Sequence, residues 1–244
     1  MGTIYLVDYY ANNLKSHMHE ASVTMKLLTT AIAILLIITT HSVTLLIIDF
    51  ALTLIFIGFS NLPVLRILRW SLYPAFFASF FAISQLPYSL ITPLITIFRA
   101  VDAALVMLLL INTTPYPQIF FMLSKISRTL GNIAFLTYRF FFIFIEQAEK
   151  RFTTLKVRGG LAGGLTRTIK NISHFIGSLF LVFVDISEET YYAMKTRGYS
   201  GIISCRPGPW MKINSHDWMP FTLLTFLTLI IIVYWLFGFS GGLI

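Results

Sequence analysis

Glu149-Lys150-Arg151-Phe152-Thr153-Thr154-Leu155-Lys156-Val157-Arg158-Gly159 recurs, thirty-nine residues on, as Glu188-Glu189-Thr190-Tyr191-Tyr192-Ala193-Met194-Lys195-Thr196-Arg197-Gly198. Both stretches read acid, two positions, aromatic, two positions, apolar, Lys, one position, Arg-Gly. Ile145, Ala148, Phe152 and Leu155 recur at spacings of three and four and so share one face of a helix. Val184, Ser187, Tyr191 and Met194 take the same positions in the second copy. Glu149 and Lys156 fall on a separate polar stripe. Basic residues suit the negative end of a helix dipole, and the glycine that follows permits a left-handed turn that stops the helix. The expectation is a pair of long helices, each ending in an arginine with five donors free to meet carboxylates.

Outward from this repeat, the chain is membrane-like. Of its 244 residues 57% are hydrophobic and only 11% charged, with 23 Phe. A soluble domain carries about a quarter charged residues. The formal net charge is +8, and residues 113–217 concentrate it, with thirteen Lys and Arg against six Asp and Glu. A membrane protein places such a segment on the cytoplasmic side. The basic residues sit between apolar helical faces, which argues against a nucleic-acid partner. Cys205 stands alone, so no intramolecular disulfide or cysteine metal cluster is expected. No small-residue cleavage site follows a short apolar core near the start, so no signal peptide is expected.

In chain order, residues 1–25 form a polar N-terminal segment in which His17 and His19 read as a flexible pair rather than metal ligands. Lys26 opens an apolar run expected to form a hairpin turning near His41 and Ser42, which returns Arg66 and Arg69 to the side of Lys26. Asp49 then lies within the second span, either as a functional intramembrane acid or solvated at an interface. Residues 71–84 make a third apolar segment, and Gln85-Leu86-Pro87-Tyr88-Ser89 a turn. Residues 93–111 make a fourth, carrying Arg99 and Asp102 three apart, where they read as a neutralised pair. Thr113-Thr114-Pro115 reads as hydroxyl caps and a first-turn proline that start a helix to about Arg128. One long helix then runs to Gly159, residues 160–164 break it, and a second ends at Gly198. Residues 200–217, with Arg206-Pro207-Gly208-Pro209, are irregular, and Asp217 precedes a last span within 218–244.

Catalytic chemistry is missing from this inventory. There is no phosphate loop, since Gly159, Gly160, Gly163 and Gly164 lack a following Lys and a preceding strand. His41, His174 and His216 are isolated, His174 reading as a satisfied histidine on an apolar helix. No carboxylate pair is spaced for general acid and base work. No cofactor or metal is expected, and any ATP hydrolysis belongs to another chain.

The residues quoted resemble the transmembrane T component of energy-coupling factor transporters, the family that includes the CbiQ-type cobalt transport protein. The resemblance rests on Lys26 ahead of the first span, on Thr113-Thr114-Pro115, on Val157-Arg158-Gly159, on Thr196-Arg197-Gly198 followed by Tyr199, and on Asp217. Val157 and Thr196 depart from the small alanine usual there, and Val157 is the bulkier. The resemblance implies an all-α, polytopic membrane bundle, with spans in 26–112 and 218–244. It also implies a cytoplasmic-side coupling domain of long crossing amphipathic helices in 113–199. It implies a non-catalytic scaffold joining two ABC-type ATPases to a substrate-binding membrane S component for uptake of a vitamin or transition-metal ion. The ATPases would dock on Val157, Arg158, Gly159, Thr196, Arg197 and Gly198. Ile145, Ala148, Phe152, Leu155, Tyr191 and Met194 would pack the coupling helices. The other reading is a self-sufficient secondary transporter or channel built on Asp49, Arg99 and Asp102.

Overall fold

The computed structural model describes residues 3–14, 16–40, 42–87, 91–201 and 217–238. Among them it is all-α: ten helices and no strand. The chain divides into two compact units, residues 1–119 with 206–244, and residues 120–205.

The first unit is a bundle around α6 (Ile91–Thr113), which packs against α1 (Thr3–Asn13), α3 (Val23–Thr39), α4 (Val43–Phe59) and α5 (Val64–Gln85). The sequence of α6 explains its centrality. Val101, Leu105 and Leu109 recur every fourth residue, and Val106 and Leu110 widen the same stripe, so one broad face is buried. Leu46, Ile57 and Ile67 pack into this core from α4 and α5, and Leu223 and Leu227 from α10 (Trp218–Gly238). The outer face of α5 is the opposite case. Phe76, Phe77, Phe80 and Phe81 are all more than half exposed, an apolar surface that suits lipid and not water.

The hairpin break falls at Thr40–Ser42, and Asp49 lies inside α4 as expected; His41 is outside the described residues. α5 begins seven residues before the expected segment and takes in Arg66 and Arg69. Arg66 donates to the Tyr10 hydroxyl, tying α5 to α1. The N-terminal segment is helical, and Tyr10 and Met18 reach the core. The turn residues Tyr88 and Ser89, and Cys205, the Arg206 to Pro209 run and His216 in the irregular connection, lie outside the described residues.

The expected hydroxyl caps at residues 113 and 114 do not form. Thr113 is the last residue of α6, and its hydroxyl donates back to the Leu109 carbonyl at 2.7 Å. The Thr114 hydroxyl is buried without a partner among the described residues. Pro115 sits just before α7 (Tyr116–Ile126), its carbonyl accepting from the Gln118 amide at 3.0 Å.

In the second unit, α8 (Arg128–Val157) and α9 (Leu165–Thr196) form an antiparallel pair. Ring contacts join Phe144 to Phe183 at 4.8 Å and Phe152 to Phe175 at 5.8 Å. The Asn132 side-chain amide near the start of α8 donates to the Gly201 carbonyl just past α9, at 2.6 Å. At the other end the Asn171 side-chain amide donates to the Gly160 carbonyl at 2.8 Å. Partner numbers that fall as α8 rises define an antiparallel register along the whole length. Gly131 allows the tight turn from α7, since a Cβ there would stand 2.3 Å from the Ser124 Cβ.

By length and composition α5, α6, α8 and α9 are each sufficient to cross a membrane, and α3, α4 and the Trp218–Leu229 part of α10 are shorter apolar helices.

Candidate functional site

The two Arg-Gly motifs close their helices in one and the same way. After α8, the Gly159 amide donates to the Lys156 carbonyl at 3.0 Å and the Gly160 amide to the Leu155 carbonyl at 2.9 Å. After α9, the Gly198 amide donates to the Lys195 carbonyl at 3.1 Å and the Tyr199 amide to the Met194 carbonyl at 3.0 Å. These are paired Schellman closures, and each requires a left-handed residue one past the cap. Gly159 supplies it at φ 68° and Gly198 at φ 73°. Arg158 and Arg197 are the cap residues themselves.

The tips are open to solvent. Val157, Arg158, Gly159, Thr196, Arg197 and Gly198 are all exposed, Val157 by 83%. Neither Arg158 nor Arg197 has an ion-pair partner among the described residues. The motif lysines are placed differently: Lys156 lies over the Phe152 ring at 4.7 Å and Lys195 over the Tyr191 ring at 6.0 Å. Of the Lys and Arg that the two copies share, the arginine is therefore the uncommitted one among the described residues. Of the packing residues, Phe152 meets Phe175 across the pair, while Ile145, Ala148 and Leu155 are half-buried. Met194 is half-buried too, but Tyr191 is 55% exposed, and its ring meets Tyr192 and Lys195 of its own helix. Antiparallel register puts the tips at opposite ends of the pair. Arg158 lies level with the second turn of α9, so about 40 Å of helix separates it from Arg197.

A second constellation is buried in the first unit, and sequence reading had left its members unconnected. Lys26 is 2% exposed. Its Nζ donates to the Thr113 carbonyl at 3.0 Å and the His19 carbonyl at 3.1 Å. Asp217, within electrostatic range of Lys26, accepts from the Ser22 amide at 2.5 Å. The ammonium thus serves the carbonyl end of α6, and the carboxylate serves the amide end of α3 while leading into α10. His19 is held, not flexible. Its Nε2 donates to the Tyr10 carbonyl at 3.2 Å, which leaves Nδ1 to accept from the Ser16 hydroxyl at 2.7 Å. Burial, and then the nearby Lys26 charge, hold this imidazole below the ordinary histidine range. His17 sits against the Trp218 ring at 6.2 Å. The available signal was that Lys26, Thr113 and Asp217 each stand at the end of an apolar run.

Arg99 and Asp102 do not neutralise each other. The Arg99 guanidinium donates to the Thr40 carbonyl at 2.5 Å, just past the end of α3. A free helix carbonyl outcompetes the acid one turn away, because it offers a charge-assisted bond without bending the side chain along its own helix. Asp102 and Asp49 are fully buried on the packed pair α6 and α4, within electrostatic range of each other, and neither carboxylate has a hydrogen-bond partner among the described residues. His174, expected to be satisfied on an apolar face, is exposed and has no hydrogen-bond partner among the described residues.

The family model described as CbiQ, cobalt transport protein, matches residues 15–207. The match takes in both tips, Lys26 and Thr113; Asp217 and α10 lie beyond it. No curated protein matches the chain.

Proposed function

The chain belongs to the CbiQ family of cobalt transport proteins, a family of membrane transport components, and on that premise we propose that it is the energy-coupling scaffold of an ATP-driven importer. It joins two cytoplasmic ABC-type ATPases to a separate substrate-binding membrane subunit. Hydrolysis takes place on the ATPases, and the binding subunit selects the vitamin or metal ion. Residues 113–199 act as the coupling domain, facing the cytoplasm of a multi-pass protein of the cell membrane.

The observation that carries this reading is the pair of identical helix closures, each presenting an uncommitted arginine. An arginine fixed at a rigid helix end meets a carboxylate bidentately, and movement of that carboxylate pushes the helix along its axis. Tips at opposite ends of one antiparallel pair suit one ATPase each. Closure of the two ATPases then strains α8 and α9 against each other, and their largely exposed apolar faces carry the motion to the binding subunit. The test is co-purification from membranes of the native chain and of the Arg158→Ala, Arg197→Ala double variant. ATPases identified with the native chain and lost from the variant support the scaffold. ATPases retained by the variant overturn it.

A second reading, a self-sufficient secondary transporter, is favoured by the partnerless Asp49 and Asp102 inside the bundle. Uptake by the purified chain in vesicles without ATPases, abolished by Asp102→Asn, is the result that supports it.

A further inference from the structure

The thirty-nine-residue repeat breaks in charge. Residues 149–159 carry four cations and one acid, net +3, whereas residues 188–198 carry two of each, net zero. The whole break lies at two positions: Lys150 and Arg151 in the first copy stand where Glu189 and Thr190 stand in the second.

The structure gives Arg151 a defined setting. Behind the first tip, α8 and α9 part to leave an open cleft of about 460 Å³. Arg151, Thr154 and Arg158 line it from α8, and Asn171, His174 and Ser178 from α9. Each set of three falls at i, i+3 and i+7, so each is a single face turned to the other helix. Among the described residues no carboxylate lines the cleft. The solvent-shielded Arg151 Nε has no acceptor, and neither arginine an ion-pair partner, among the described residues. The Thr154 and Ser178 hydroxyls donate to backbone carbonyls of their own helices, and Asn171 gives one amide proton to the Gly160 carbonyl. The two guanidinium groups, with nothing of opposite sign beside them, are therefore the donors that make the cleft a receptor for an anion.

We propose that this cleft receives an acidic side chain of the ATPase docked on the first tip, held between Arg151 and Arg158. The inference rests on the scaffold reading above and deepens it: the two tips are unequal. The first is a two-arginine, charge-selective contact, and its partner surface presents carboxylates for both. The second is a single-arginine contact with no net charge in its motif. Association at the first tip is therefore the salt-sensitive step, and Arg151 rather than Arg158 is what distinguishes the two docking positions.

The experiment is capture of the mass-spectrometrically identified ATPases by full-length chain in detergent, between about 0.05 and about 0.5 M salt. Native chain, Arg151→Gln, Arg151→Lys, Thr190→Ala and Arg158→Ala are compared. Arg151→Gln is expected to weaken capture about tenfold or more at low salt and to flatten its salt dependence. Arg151→Lys recovers part of both, and Thr190→Ala matches the native chain. Equal capture by native chain and Arg151→Gln across the series, with Arg158→Ala still defective, overturns the inference and leaves the scaffold standing. Indifference to Arg151 and to Arg158 alike overturns the inference, and the same indifference in the Arg158→Ala, Arg197→Ala double variant removes the scaffold with it. Retention on phosphatidylglycerol vesicles that depends on Arg151 while ATPase capture does not assigns the cleft to lipid and also overturns the inference. Helix content by circular dichroism separates misfolding from lost contact, and rescue by Arg151→Lys excludes it independently.

Discussion

At the scale of single residues, the bundle depends on where its few charges are set. Lys26→Met leaves the Thr113 and His19 carbonyls without their donor and Asp217 without its cation. Removing one partner of a buried charged set costs about 3–5 kcal/mol, and the expected result is a matching loss of stability in detergent denaturation. Lys26→Arg, which keeps the charge but not the point geometry, recovers part of it. His19 gives the pH dependence. Its folded form is neutral, with a pKa below the ordinary 6.5, so the unfolded chain binds more protons and stability rises with pH. The contribution is whole above 6.5 and is lost as pH falls through the lower folded value. Between about pH 7 and about pH 5, thermal stability of the native chain is expected to fall more steeply than that of His19→Gln; equal slopes count against a buried imidazole held neutral. Lys26 and Asp217 were legible as residues because each interrupts an apolar sequence. Their meeting was not, since nothing in local periodicity brings positions about two hundred residues apart to one point. Arg99 was misread for a related reason: helical spacing shows which side chains are neighbours but not which carbonyl ends nearby.

For the helices, sequence and structure agree most closely at the closures, because the chemistry there is local. A left-handed position one past the cap admits glycine and strains other residues, so Arg-Gly after an amphipathic run fixes both the end of the helix and the direction of its arginine. Gly198→Ala, at φ 73°, is expected to cost about 1–2 kcal/mol at the end of α9. Hydrogen exchange at the amides of residues 198 and 199 would then speed up, and ATPase capture fall although Arg197 is intact. Gly164→Ala is the control, with φ −65° and nothing within 4 Å of an added Cβ; it is expected to leave both readings unchanged. The start of α7 was less legible. Thr113-Thr114-Pro115 has the composition of a helix start, but α6 extends through Thr113, whose carbonyl is held by Lys26, and the hydroxyls are committed or buried. Capping preference is a local signal, and here a tertiary contact outweighed it.

For the molecule as a whole, composition alone settled the class. A chain 57% hydrophobic and 11% charged, with four helices of spanning length, belongs in a bilayer. Composition leaves open the relation between the two tips, because a constant repeat offset is compatible with helices that run together or in opposition. The aromatic register decides it: Phe144 with Phe183 and Phe152 with Phe175 require opposition. The consequence is measurable. With Cys205 replaced by Ser, spin labels at Val157→Cys and Thr196→Cys are expected about 40 Å apart by electron double resonance. A separation below about 20 Å would mean that the tips meet, which is less than half the helix length between them and incompatible with one ATPase on each. Adding ATPases with a non-hydrolysable nucleotide bears on coupling itself. On the proposed scaffold reading, two partners drawn together by ATP, each gripping one end of an antiparallel pair, would slide or tilt α8 against α9. The distance is therefore expected to shorten, and an unchanged distance would mean that the pair passes no motion from one tip to the other.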